Sequence, residues 1–149
     1  MASIDQIKQL REETGLSISE CKRALEAAGG DIAKVKEYLR NLGKELAEKK
    51  QTREVREGFL EVYVHPTHKL GAMVDVRCET DFVARAPDFR NFCHEIALQI
   101  ASMNPQNVEE LLKQPYVRDP SRQVQNLLQE AIAKLGENIM IQRFIRFEI

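Results

Sequence analysis

The spacing of hydrophobic residues switches repeatedly between two periods along the chain, and each switch marks a change of element. Over the first 43 residues apolar side chains recur every three or four positions, the spacing of one helix face. Ser3 to Gln6 reads as a capping box, with Ile4, Ile7 and Leu10 behind it and Gly15 as a stop. Ser17 to Glu20 repeats the device ahead of Ile18, Cys21, Leu25 and Ala28, and Gly29-Gly30 ends that helix. Asp31 caps a third, in which Ile32, Val35 and Leu39 face inward until Gly43 stops it. Three helices in so short a span make a unit that is small for independent stability.

Residues 44–57 are dense in charge of both signs, the pattern of a linker or a solvated helix. At Gly58 the period becomes two: Leu60, Val62 and Val64, then Leu70, Ala72, Val74 and Val76, with Pro66-Thr67-His68-Lys69 between them as the turn of an antiparallel hairpin. The helical period returns at Pro87 with Phe89, Phe92, Cys93, Ile96, Ile100 and Met103, closed by Asn104-Pro105. Asn107 to Glu110 starts a short helix. Asp119-Pro120 is expected to cap a further one carrying Val124, Leu127, Leu128, Ala131, Ile132 and Leu135 up to Gly136. Asn138 to Ile149 reads as a closing strand with Ile139, Ile141, Ile145, Phe147 and Ile149 on one side. The pattern predicts an α+β protein in three parts: a helical head at 1–43, a charged linker or helix at 44–57, and an α+β domain at 58–149 with a small antiparallel sheet and two to three helices.

Composition narrows the function. A chain of 149 residues that is 43% hydrophobic and 30% charged, with a formal net charge of −1, has the profile of a globular protein and lacks the basic excess of a nucleic-acid binder. Cys21, Cys78 and Cys93 are odd in number and widely spaced, so they outline neither a disulfide framework nor a metal site, and a reducing cytoplasm is expected. No apolar run approaches the length of a membrane span or a signal core, so no membrane partner is expected.

Catalytic chemistry is hard to find. The seven glycines sit at expected element ends, not in a phosphate-cradling loop. His65 and His68 flank the hairpin turn and His94 falls on the outer flank of the long helix, so no metal ligand set forms. Cys93 shares the apolar stripe of Phe89 and Ile96, the place of a core hydrophobe. Glu109-Glu110 belongs to a solvated face. No catalytic residue, metal or cofactor is expected, and no cleft where titratable side chains converge.

One segment resists the bland reading: Cys78-Glu79-Thr80-Asp81-Phe82-Val83-Ala84, where strand alternation stops before the long helix begins. Thr80 or Asp81 could cap a turn while Phe82 or Val83 packs as a hydrophobic staple. Alternatively Phe82 projects from a loop held by its flanks, with Asp81 as a polar anchor for a partner protein. Thr80-Asp81-Phe82-Val83-Ala84 resembles a signature of the elongation factor Ts family, exchange factors for the GTPase elongation factor Tu. Leu10-Arg11-Glu12-Glu13-Thr14-Gly15, Glu20-Cys21-Lys22-Arg23-Ala24-Leu25 and Gly30-Asp31 resemble that family's ubiquitin-associated-like head, and Ala133-Lys134-Leu135-Gly136-Glu137-Asn138-Ile139 its penultimate helix-to-strand junction.

The resemblance implies a non-enzymatic guanine nucleotide exchange factor of translation elongation. Thr80, Asp81, Phe82 and Val83 would act at the Mg²⁺ site of elongation factor Tu, and Arg11 and Ile18 would contact the same partner from the head. The length resembles that of short forms working as two copies, and the apolar closing strand supports a homodimer. Leu16-Ser17-Ile18-Ser19 departs from the family's usual Gly- and Met-rich turn. Without the loop's action the head alone would make a protein-binding module with no exchange activity.

Overall fold

The computed structural model describes residues 2–149; the side chain of Ile32, expected to face inward, lies outside the described residues. Helices α1 (Ile4–Thr14), α2 (Ile18–Ala27) and α3 (Ile32–Lys50) form the head. Both expected capping boxes are present: Gln6 N–H donates to Ser3 Oγ at 3.2 Å and Glu20 N–H to Ser17 Oγ at 3.2 Å, each answered by the third residue's side chain. Gly15, at φ 70°, turns the chain out of α1 in the left-handed conformation that favours glycine. Leu10, Leu16, Cys21, Ala24, Leu25, Ala28 and Val35 form the head's own core. Ile4 and Ile18 stay exposed despite their place on the expected stripes.

Gly43 does not end α3. The helix runs on through seven further residues to Lys50, because here Gly43 is buried against another helix, α7 (Val124–Leu135), instead of meeting solvent at a helix end. Of the two expectations for the charged segment, the helix holds as far as Lys50 and irregular chain follows.

The remainder is a sheet covered on one face by helices. Strands β1 (Glu57–Val64), β2 (Leu70–Cys78) and β5 (Met140–Glu148) pair antiparallel in the order β1-β2-β5. The long helix α5 (Pro87–Met103) packs on one side, its Phe89, Cys93, Ile96 and Ile100 fully buried with Val74 and Val76. In β1 it is Phe59 and Tyr63 that pack toward this core, while Leu60, Val62 and Val64 form the outer face.

The last strand corrects the expectation of a single apolar side. Register shifts where Asp75 pairs with Arg143 and Val76 with Ile141, leaving Gln142 as an extra residue. A bulge of one residue exchanges the two faces downstream. Ile139 and Ile141 therefore sit in the core, whereas Ile145, Phe147 and Ile149 join Leu60, Val62, Val64 and Met73 on the exposed face.

Asp119-Pro120 also caps no helix. After α6 (Val108–Lys113), β3 (Pro115–Tyr116) and β4 (Asp119–Gln123) form a two-stranded ribbon, and α7 begins only at Val124. The ribbon is fastened to α5 by the buried side chain of Gln99, which donates to the Pro115 carbonyl at 3.0 Å and accepts from Val117 N–H at 2.9 Å. That pairing satisfies a polar core group and fixes the chain as a strand where a helix start was expected. Gly136 ends α7 as anticipated.

Candidate functional site

The Cys78–Ala84 segment leaves β2 and makes a single helical turn, α4 (Asp81–Ala84). Thr80, extended at φ −126° and ψ 152°, caps it by accepting from Val83 N–H at 3.3 Å. A turn so short presents two residues inward and two outward. Val83 and Ala84 are buried in the main core, while Phe82 is 85% exposed. The cap and the packed Val83 of one reading thus coexist with the projecting ring of the other. Asp81 is also exposed and pairs with Arg85 at 2.9 Å, four residues along the chain.

The base of the turn is held from a distant part of the sequence. Oε1 of Glu137 accepts from the backbone N–H groups of Glu79 at 3.1 Å and Thr80 at 3.0 Å, and its Oε2 accepts from the Thr80 hydroxyl at 2.7 Å. Glu79 answers by accepting from Asn138 N–H at 2.7 Å. The buried Asn138 side chain donates to the Arg53 carbonyl at 2.8 Å, which ties in the chain that enters β1. Glu79, Glu137 and Asn138 were not singled out as site residues in the sequence. Their signals were indirect: Glu79 lies inside the Cys78–Ala84 segment singled out in the sequence, and Glu137 and Asn138 lie inside the family-like stretch at 133–139.

Arg11 and Ile18 lie elsewhere, in the head. Arg11 projects from α1, and Ile18 begins α2 with 55% of its surface exposed. Neither belongs to the packed unit around Phe82.

Contrary to expectation, a cleft of about 550 Å³ with many titratable side chains does exist, between the head and the helices α5 and α7. Glu13, Lys36, Arg40, Asp88, Glu95, Asp119, Arg122, Glu130 and Lys134 are among its lining residues. Four of these nine pair with one another, and Glu95 is held by neighbours outside the lining. Lys134 pairs with Asp88 at 3.5 Å, Arg122 with Glu130, and Glu95 takes both the Tyr116 hydroxyl at 2.5 Å and Arg118 at 2.6 Å. Desolvation and the Glu95 carboxylate push the Tyr116 hydroxyl up to about 12, so it stays protonated. Five acidic and four basic side chains thus line the cleft in near balance of charge.

Burial raises the Cys78 thiol to about 11 and the Cys93 thiol to about 12, and both side chains are enclosed. Among the described residues no group of three His, Cys, Asp or Glu side chains is placed to hold a metal ion, and no helix is long and apolar enough to cross a membrane.

A helical head with exposed apolar residues, beside a body that displays one aromatic ring on a pinned turn, defines a protein that acts by contact with another macromolecule. Comparison with known proteins gives the particular family. The family model described as Elongation factor TS matches residues 79–149. The chain is 39% identical to elongation factor Ts of Herpetosiphon aurantiacus, with 99% of this chain and 97% of that protein aligned. Identity is 40% with the Rubrobacter xylanophilus protein of that name, over 98% of both chains, and 41% with that of Coprothermobacter proteolyticus, over 99% and 98%. This chain belongs to the elongation factor Ts family: it is a nucleotide exchange factor for elongation factor Tu in translation elongation, cytoplasmic, and not an enzyme. The first of these alignments runs over 192 positions, 43 more than the 149 residues of the chain, so the relative carries interior residues that this chain omits.

Proposed function

We propose that the exchange activity is delivered by Thr80, Asp81, Phe82 and Val83, with Phe82 entering the nucleotide domain of elongation factor Tu near its Mg²⁺ and loosening both metal and GDP. The exposure of Phe82 on a capped turn carries the reading, since a large apolar ring held out on a fixed turn is placed to be buried by a partner, where aromatic anchors contribute much of the binding energy. Val83 anchors the turn from inside and Thr80 caps it. Asp81, outside and paired only along its own turn, is free to exchange Arg85 for a partner's group. The head at 1–43 grips the same partner through Arg11 and Ile18, the segment 44–57 connects, and 58–149 presents the loop.

The chain works as a homodimer in this reading. Support comes from the outer sheet face, where Val62, Val64, Met73, Ile145, Phe147 and Ile149 lie open around one shallow groove, with Leu60 also exposed on that face. A contiguous apolar surface of this kind is what two copies would cover.

Phe82→Ala tests the loop. Burying one Phe is worth roughly 1.5–3 kcal/mol, so at saturating factor GDP release from elongation factor Tu should slow by about ten- to a hundred-fold. The melting temperature should not change, because the ring packs against nothing of its own fold. Full exchange activity in the alanine variant would remove Phe82 from the mechanism.

A further inference from the structure

We propose that Glu137 is the positioning residue for Phe82: without touching the ring, its carboxylate fixes the backbone that aims it. The inference rests on the reading that Phe82 delivers exchange.

At 85% exposure the ring has no packing of its own to set its direction. Direction must come from the Thr80–Val83 backbone. Below, that backbone is seated by Val83 and Ala84 in the core. On the side where the chain leaves β2, its restraint is Glu137, which takes three donors from two consecutive residues, Glu79 N–H, Thr80 N–H and Thr80 Oγ–H. The Thr80 hydroxyl is shared between two tasks: it donates to Glu137 and accepts from Val83 N–H, so the carboxylate also orients the cap. The reverse bond, from Asn138 N–H to Glu79 at 2.7 Å, closes a crossed pair in which each glutamate accepts from the backbone beside the other. Arg53, 3.6 Å from Glu79, offsets part of the repulsion between the two carboxylates.

Charge-assisted hydrogen bonds of this kind are the stronger ones, and three on one side chain make a rigid seat. A ring already aimed loses little freedom on binding, whereas a ring on a loosened turn must be ordered by the partner at the partner's expense. Because Glu137 acts only through the ring, its loss cannot slow exchange by more than loss of the ring itself.

The experiment is a double-mutant cycle on the intact chain, reading GDP release from elongation factor Tu at saturating factor for Glu137→Ala, Phe82→Ala and the double variant. Glu137→Ala should slow release about tenfold. In the Phe82→Ala background the same substitution should do nothing further. Glu137→Gln should restore most of the rate, because its amide oxygen still accepts from the two backbone groups and its NH₂ donates to the Thr80 hydroxyl. If the alanine variant does not fold, Glu137→Asp, which keeps the charge but withdraws the carboxylate by one methylene, gives the same cycle. A slow Phe82→Ala beside Glu137→Ala (or Glu137→Asp in its place) at full rate, or equal losses from that substitution in both backgrounds, overturns the positioning role and leaves Phe82 in place. Phe82→Ala at full rate removes the underlying reading and this one with it.

Discussion

Replacing Gly43 with alanine should stabilise the protein, although a glycine buried where two helices meet is normally one that nothing larger can replace. Gly43 lies inside α3, where the α-carbon faces α7. A methyl group added there would stand 3.7 Å from the Gln129 carbonyl oxygen and 3.8 Å from Ala133 Cβ, ordinary van der Waals contact without overlap. Glycine within a helix costs about 0.8–1.0 kcal/mol relative to alanine, and burying the new carbon adds up to about 0.8 kcal/mol. The expected gain is therefore about 1–2 kcal/mol, or a rise in Tm of about 2–4 °C for each kcal/mol in a chain of this size. Thermal unfolding followed by far-UV circular dichroism, with calorimetry to check that one transition is being compared with one, measures it. A lower Tm would refute the geometry: it would mean that α3 and α7 approach more closely than these distances, or that α3 is not helical at residue 43.

Other expectations are independent of that helix. Phe147, 70% exposed on the outer sheet face, should be required for self-association, so Phe147→Asp should convert a dimer into a monomer in light scattering after size exclusion, and a monomeric parent would remove the dimer reading. The Arg77 guanidinium holds the Asp75 carboxyl below its usual value of 3.8, with Arg143 adding to it. A depressed carboxylate contributes stability above its unfolded pKa and loses that contribution as the pH falls through the folded one. Asp75→Asn should thus cost about 1–2 kcal/mol near neutrality and flatten the loss of stability below about pH 4; an unchanged acid limb in denaturant titrations would count against the ion cluster. Cys78 and Cys93, raised to about 11 and about 12, are buried like Cys21, so an aromatic disulfide reagent at pH 8 should label the three thiols only when the chain unfolds. Rapid labelling of the native protein would contradict their burial.

What could be read from the sequence was what is decided within a few residues. The boxes at Ser3 and Ser17, the glycine stops at Gly15 and Gly136 and the hairpin turn between β1 and β2 are all local, and each stands where its residues placed it. Features set by a distant partner were not legible. The helix continues through Gly43 because α7 covers it, the Asp119 segment becomes a ribbon because Gln99 captures its backbone, and the closing strand changes face because pairing with β2 skips Gln142. For the site the division is the same. Phe82 was visible as an apolar residue out of pattern, whereas the Glu137 bonds span 57 and 58 positions and no local spacing announces them.

The size of the exchange effect limits how much the loop can do alone. A factor that weakens GDP binding is itself bound more weakly by the GDP-loaded partner, by the same coupling free energy. In the proposed mechanism one exposed ring supplies about 1.5–3 kcal/mol of it, and a larger acceleration would draw on the head. Energy gained by the head is useful at the loop only if the two cannot relax independently. The junction between α7 and β5 provides that connection. The stem of Lys134 lies against Gly15 at the end of α1, close enough that a Cβ on the glycine would fall 2.7 Å from Lys134 Cγ. Three residues later Glu137 seats the Phe82 turn, and Asn138 holds the carbonyl of Arg53 just beyond α3. Five consecutive residues therefore touch the head, the connecting chain and the loop, so that in the proposed mechanism a head docked on the GTPase would also constrain where Phe82 points.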